Sequence, residues 1–330
     1  MKIGILGSGS WGTGIAVQLA KNNEVMLWEF DKDLCEKLKE DKENKKFLPG
    51  ITLPTSLLFT NDIHELIEHN EMIIFAIPSH VLRQVAHSLK EFNLKSKHLI
   101  SLVKGLEDKT YKRMTEIIAE EISEFKTLSA LSGPSHAEEV ARNIPSTVIL
   151  ANPHLEQISF LLPILSTDTF RVYSNSDIVG VELGGAVKNI IAIAAGISDG
   201  LNFGANTKAA LITRGIEEIK RLAITMGAQE NTLYGLSGIG DLITTCISPF
   251  SRNRHVGEEL GRGKSLDDIL NEMIMVAEGV ATTKAIYNLS QSKNISMPIT
   301  ESVYNILYNN ALPKDEVISL MNRPFKEEFE

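Results

Sequence analysis

Short apolar runs alternate with helix-period segments through the first half of the chain. KIGILG (2–7) is an apolar stretch of strand length, GIAVQLAKN (14–22) repeats its apolar positions at helical spacing, and EVMLWEFD (24–31) predicts a second strand. MIIFAIP (72–78) is a continuous apolar strand closed by proline, with the helix-like SHVLRQVAHSL behind it. HLISLVKG (98–105) predicts another strand, followed by a helix at about 110–123. TLSALSGP (127–134) and STVILA (146–151) predict strands with a helix after each, and TFRVYS (169–174) predicts the last one. Strands that alternate with helices imply a mostly parallel, doubly wound sheet, in which ligands bind beyond the carboxyl ends of the strands. That places Gly7–Gly12, Ile77–His80, Lys104-Gly105 and Ser132–Ser135 on one rim.

Near residue 180 the pattern changes to helix-period segments and long small-residue stretches without a clear strand. The expected organisation is an α/β, Rossmann-like domain over residues 1–178 followed by an all-helical domain over 179–330. No Gly/Ser linker separates them, so the two domains should pack tightly with the site between them. Charge runs at 36–46 and in the C-terminal KEEFE (326–330) read as solvated surface.

The first strand runs into Gly7-Ser8-Gly9-Ser10-Trp11-Gly12 and then into a helix, the context a dinucleotide-binding turn requires. Its glycines let backbone approach a diphosphate, and the helix N-terminus adds N–H donors and partial positive charge. Glu29 closes the second strand, where an acid accepts hydrogen bonds from ribose hydroxyls and repels a 2′-phosphate, so the cofactor leans to NAD. Glu29 or Asp31 would alternatively cap the next helix, and Phe30 between them would stack on adenine or simply pack.

Lys188 lies in VELGGAVKNIIAIAAGISDG, a run otherwise small or apolar that predicts a buried helix. Gly184, Ala192 and Ala195 share its face by helical spacing, which suggests a slot with an ammonium at its floor, suited to a small anion. Most lysines are solvated or snorkel from helix ends, but Ile190–Ile197 offers no polar surface to reach. Asp241 follows a glycine-rich turn, and Ser251, Arg252, Asn253 and Arg254 stand together as a fork and neutral donors that would hold a phosphate. Glu278 sits in an apolar setting in MIMVAEGVATTKA.

A hydrophobic content of 43% and a charged content of 23% are ordinary for a soluble globular protein. The net charge of −9 argues against wrapping nucleic acid, while leaving room for a local basic pocket. Cys35 and Cys246 cannot form a disulfide framework, so a reducing cytoplasm is the default, and the eight histidines show no ligand spacing for a structural metal. MKIGILGSGSWG lacks a signal pattern, and the apolar run at 190–197 is far short of a bilayer span.

GSGSWGT, IPSHV, VKGLE, SGPSHAEE, RVYSN, GGAVKNIIAIAAGISDG, NTKAALITRG, GIGDLITTC, SRNR and VAEGVATT, in that order from residue 7 to about 300, resemble the blocks of bacterial-type NAD(P)-dependent glycerol-3-phosphate dehydrogenases. The resemblance implies hydride transfer between NAD(P)H and dihydroxyacetone phosphate, giving sn-glycerol 3-phosphate for phospholipid synthesis. It also implies a C-terminal domain of the 6-phosphogluconate-dehydrogenase type and commonly a homodimer. Cofactor contacts would fall on Ser10, Trp11, Phe30, Lys104, Ala137, Arg252, Val276 and Glu278. Substrate contacts would fall on Lys104, Gly133, Ser135, Lys188, Asp241, Ser251, Arg252 and Asn253, with Lys188 as proton donor and acceptor. Many members carry a basic residue or histidine near the Phe30 position, where this chain has Glu-Phe-Asp. Two-domain dehydrogenases of β-hydroxy acids or ketopantoate also place a lysine on the first long helix of the second domain; the SRNR set speaks against them. A dinucleotide sensor without turnover would leave Lys188, Asp241 and Arg252 without a role.

Overall fold

The computed structural model describes residues 1–325, 327 and 328. The first part of the chain runs β1 (Lys2–Leu6), α1 (Ser10–Leu19), β2 (Glu24–Trp28), α2 (Lys32–Asp41), β3 (Glu43–Asn44), β4 (Leu48–Thr52), β5 (Leu58–Thr60), α3 (Ile63–His69), β6 (Met72–Phe75), α4 (Leu82–Ser88), β7 (His98–Ser101), α5 (Met114–Glu121), β8 (Thr127–Ser132), α6 (Ala137–Ala141), β9 (Ser146–Ala151), α7 (Leu161–Leu165) and β10 (Phe170–Asn175). Eight of these strands form one sheet in the order β10-β9-β8-β7-β6-β1-β2-β5. All neighbours are parallel except β8 and β9, which are antiparallel, so β9 and β10 run against the rest. Strand order reverses between β1 and β6, and that junction is where a doubly wound sheet opens its crevice. The central strands are buried on both faces, which is why they read as unbroken apolar runs.

Two stretches differ from the sequence expectation. The charge run at 36–46 is not simply solvated. Helix α2 buries Cys35 and Leu38, and the fully buried Asn44 donates to the Ser8 carbonyl at 2.7 Å and to Thr13 Oγ1 at 2.8 Å. The lysines and glutamates hide an anchor beneath the glycine turn. The strands at 43–60 show no periodic signature, because β3, β4 and β5 are two, five and three residues long. Of the C-terminal run, Glu327 and Glu328 are exposed, while Lys326, Phe329 and Glu330 lie outside the described residues.

The second part is helical: α8 (Ile178–Gly200), α9 (Ala205–Thr225), α10 (Glu230–Leu233), a π-helical turn (Leu236–Gly240), α11 (Asp241–Ile247), α12 (Arg252–Gly261), α13 (Leu266–Glu272), α14 (Glu278–Ser292), α15 (Pro298–Tyr308) and α16 (Pro313–Met321). Helix α8 is long and apolar enough to cross a membrane by length and composition, yet 89% of its most apolar window is buried inside the protein. Its small residues do not form an open slot beside Lys188. They let neighbouring backbones touch it: a Cβ on Gly184 would stand 2.6 Å from the Ser237 carbonyl oxygen, and one on Gly196 would stand 1.9 Å from that of Arg254. The contact is reciprocal, because a Cβ on Gly257 of α12 would meet the Ile193 carbonyl oxygen at 2.0 Å and the Ile197 nitrogen at 2.9 Å. Backbone on one side and backbone on the other cannot yield. Gly257→Ala is therefore expected to destabilise the protein by about 3 kcal/mol through forced separation of the helices. Urea unfolding checks this, and an unchanged midpoint would remove the seam from the account.

Buried acids fasten the other helices. Glu182, on the first turns of α8, accepts the Thr115 N–H at 2.9 Å, the Thr115 hydroxyl at 2.6 Å and the Arg113 guanidinium at 2.5 Å, tying the helical part to the start of α5. Glu218 of α9 accepts the N–H groups of Ile299 and Thr300 at 2.5 and 3.1 Å and so caps α15.

Candidate active site

The carboxyl ends of β1, β6, β7 and β8 open onto a cleft of about 860 Å3 whose far wall is built from α8, α11, α12 and the loop entering α14. Helix α1 starts there. Its N-cap is Gly9, no side chain caps it and its first turn holds no acid, so its first N–H groups and positive end remain for an anion. A Cβ on Gly9 would meet nothing within 4 Å, whereas one on Gly12 would stand 1.9 Å from the Gly7 carbonyl oxygen. Gly9 therefore keeps the approach to the backbone open. Gly12 does not line the cleft; it lets the helix begin against the turn, where Gly7 adopts φ 107°. This cradle fits the diphosphate of a dinucleotide.

Glu29 faces the same turn. Its carboxylate accepts the Ser8 hydroxyl and, at 2.8 Å, the Asp31 N–H. Asp31 is the residue that caps α2, through the N–H groups of Asp33 and Leu34 at 2.9 and 3.2 Å. Phe30 is 82% exposed at the cleft mouth, so it does not pack into the core.

Three charged side chains meet at the cleft floor. Asp241 and Lys188 are 2% and 5% exposed. The short π-helical turn before α11 delivers Asp241 to the helix start, a distortion that recurs at functional sites. Lys188 Nζ donates to Asp241 Oδ1 and, at 2.6 Å, to the Thr245 hydroxyl. Lys104 Nζ, in the loop just beyond β7, donates to Asp241 Oδ2 at 2.6 Å and to the Gly133 carbonyl at 3.3 Å. One carboxylate thus holds two amines, one per oxygen. Burial draws the Lys188 amine down to about 7; Asp241 opposes this and Lys104 adds to it. Burial pushes the Asp241 carboxyl up, but Lys104 and Lys188 together outweigh it and hold it below the usual carboxylate range.

Arg252, at the first turn of α12, lines the cleft and makes no ion pair or hydrogen bond among the described residues. Burial draws its guanidinium down from the ordinary value, with Glu138 and Glu278 opposing. Ser251 caps α12 by accepting the Arg254 N–H at 3.2 Å, and Asn253 Oδ1 accepts the Gly279 N–H at 2.8 Å. The Ser251 O–H and Asn253 amide are left as donors beside Arg252. Arg254 does not join the set: it pairs with Asp199 of α8 at 2.6 Å, away from the cleft. Ser10, Trp11, Ser135, Ala137, Val276 and Glu278 all line the cleft. Gly133 does not; its carbonyl holds Lys104 and accepts the Ser135 hydroxyl at 3.0 Å.

Three further residues belong to the site. Thr245 accepts from Lys188 and donates to the Asp241 carbonyl at 2.6 Å, one helical turn back. That i, i+4 relation to Asp241 was a signal available in the sequence. Asn189 lines the cleft beside Lys188, and so does His136, which burial first and Lys188 next push down to about 4, leaving a neutral imidazole.

The family model described as NAD-dependent glycerol-3-phosphate dehydrogenase N-terminus matches residues 2–157, and its C-terminus counterpart matches residues 177–318. A glycerol-3-phosphate dehydrogenase [NAD(P)+] from Chlorobium limicola is 45% identical over 331 residues, covering 99% of each chain. The crystal structure of a glycerol-3-phosphate dehydrogenase from Coxiella burnetii superposes with a TM-score of 0.94 at 38% identity, covering 98% of this chain and 99% of that one. A ketopantoate reductase of the PanE/ApbA family from Ralstonia eutropha, at a TM-score of 0.59 and 14% identity over 96% of this chain and 100% of that one, shares the fold alone.

Proposed function

The chain belongs to the NAD-dependent glycerol-3-phosphate dehydrogenase family, and from that premise we propose that it is an NAD(P)-dependent oxidoreductase interconverting dihydroxyacetone phosphate and sn-glycerol 3-phosphate, for phospholipid synthesis. The observation that carries this reading is the Lys104–Asp241–Lys188 trio at the floor of a cleft that also holds the open glycine turn and Arg252, which has no partner among the described residues.

A reduced nicotinamide held along the glycine turn would supply the hydride for the carbonyl carbon. Gly7, Gly9, Ser10 and Trp11 would hold its diphosphate end, and Phe30, Ala137, Val276 and Glu278 line the rest of its path. Lys188 Nζ gives its proton to the carbonyl oxygen in reduction and takes it back in oxidation. The Thr245 hydroxyl and Asp241 aim that amine. Lys104 adds positive charge where negative charge develops, and while Lys188 is protonated two amines against one carboxylate leave the trio net positive. Arg252, with the Ser251 hydroxyl, the Asn253 amide and the Ser135 side chain on the opposite rim, holds the phosphate and so fixes the reacting carbon. NADH and NADPH, each assayed with phosphorylated and unphosphorylated dihydroxyacetone, test class, substrate and cofactor together. No oxidation of either cofactor with dihydroxyacetone phosphate sinks the reading.

Glu29 sets the lean to NAD. Its carboxylate is held at the glycine turn by Ser8 and Asp31, where a 2′-phosphate would meet like charge. Glu29→Ala is expected to narrow the NADH-over-NADPH ratio in kcat/KM about tenfold, or ~1.4 kcal/mol; an unchanged ratio counts against Glu29. The family resemblance also suggests a homodimer, read by sedimentation as twice the 36.4 kDa chain mass. The two buried free thiols, Cys35 and Cys246, suit the cytoplasm.

A further inference from the structure

Glu278 lines the cleft at the first turn of α14, but its carboxylate is already engaged. Oε1 accepts the Ser79 N–H at 3.0 Å and Oε2 accepts the Ser79 hydroxyl at 2.5 Å. Ser79 opens a 3-10 turn (Ser79–Val81) just beyond β6, on the sheet side of the cleft. The pair therefore crosses the site between residues 199 apart in sequence. Both ends are built to receive it. A Cβ on Gly105, directly after Lys104, would stand 3.0 Å from Ser79 Cβ and 3.2 Å from its hydroxyl oxygen. At the other end, Asn253 Oδ1 holds the Gly279 N–H at 2.8 Å, fixing the helix start that carries Glu278.

We propose that Ser79 is a positioning residue: it locks Glu278 in the cofactor cleft and joins the sheet domain to the helical domain across it. The proposal rests on the nicotinamide-dependent reading of the site. Its chemistry is acceptor geometry. Each Glu278 oxygen spends one lone pair on Ser79 and keeps another for a donor on the cofactor. A carboxylate oxygen is a strong acceptor, and the retained lone pairs stand at the first turn of α14, facing the cleft. Without the hydroxyl, the carboxylate turns about its side-chain torsions and the acceptor is no longer fixed.

The test is a double-mutant cycle with binding as the primary readout. Trp11 and Trp28 line the cleft, so NADH titration can be followed by their fluorescence. Ser79→Ala is expected to weaken NADH binding about tenfold, since a hydrogen bond to a charged group is lost. KM for NADH should rise in parallel, with a smaller change in kcat. Ser79→Thr, which keeps both donors, should restore binding. Adding Ser79→Ala to Glu278→Ala should cost nothing further, because Ser79 acts only through that carboxylate. Additive losses, or wild-type binding in Ser79→Ala, overturn the proposal. Tighter NADH binding in Ser79→Ala overturns it as well, because Ser79 would then be competing with the cofactor. Should Ser79→Ala fail to fold, Ser79→Cys is titrated in its place against the same expectation. If the wild type binds NADH without oxidising it on dihydroxyacetone phosphate, the functional reading fails while the cycle still reads out on binding.

Discussion

Lys188→Met is expected to lower kcat for dihydroxyacetone phosphate reduction by about 10^3- to 10^4-fold, the upper range for a positioned proton donor, while NADH binding and the fold survive. Methionine is chosen because the site is buried and alanine would add a cavity to the lost chemistry. The remaining Asp241 keeps Lys104 at 2.6 Å, so its charge is not left unpaired. Direction of reaction gives a second arm. Burial draws the Lys188 amine down to about 7, with Asp241 opposing and Lys104 adding. Below that value the amine is protonated and serves as acid; above it the neutral amine serves as base. Reductive kcat/KM should therefore be full below about pH 7 and fall as pH rises through it, while the oxidative rate rises through the same window. The inflection should disappear from the residual activity of Lys188→Met. Normal turnover in that variant, or two directions with the same pH slope, would take the proton away from Lys188.

Arg252→Ala carries the second-largest effect. The guanidinium is drawn into a cleft with no ion pair or hydrogen bond among the described residues, although burial works against its charge. A fork held in reserve suits a dianion. Its loss is expected to reduce kcat/KM for dihydroxyacetone phosphate by about 10^2- to 10^3-fold, mostly in KM, in line with ~3–4 kcal/mol for a desolvated charge contact. Unphosphorylated dihydroxyacetone should be turned over as poorly by the variant as by the wild type. An equal loss on both substrates would mean that Arg252 serves the cofactor or the fold.

What the sequence disclosed and what it hid follow from the range of the interactions. The strand–turn–helix at residues 2–19 is local, since period, glycines and helix start follow one another without a break in the sequence, and the sheet followed from repeating that pattern. Lys188 stood out because a charge in a small, apolar run is conspicuous. Composition reported absent bulk, but only tertiary contact shows that α12 and the π-helical turn fill the room. Arg252 and Arg254 are chemically identical and two positions apart on one helix; the partner Asp199, on α8, separates them. Asn44 was lost in a charge run because burial of one polar group leaves no period. The Ser79–Glu278 pair leaves no local trace, since both side chains are ordinary until the two domains meet.

The glycine seam between α8 and α12 determines which groups travel as one body. Carbonyl-to-glycine contact leaves those helices no play, so the span from the Lys188 amine to the Arg252 fork is a property of the pair, whatever the cleft does. Lys104 and the nucleotide turn are carried on the sheet instead. Any hinge between the halves would leave a three-carbon phosphate gripped at a set length on one jaw and swing the hydride source toward it on the other, so selection for chain length and timing of the redox step become separately adjustable.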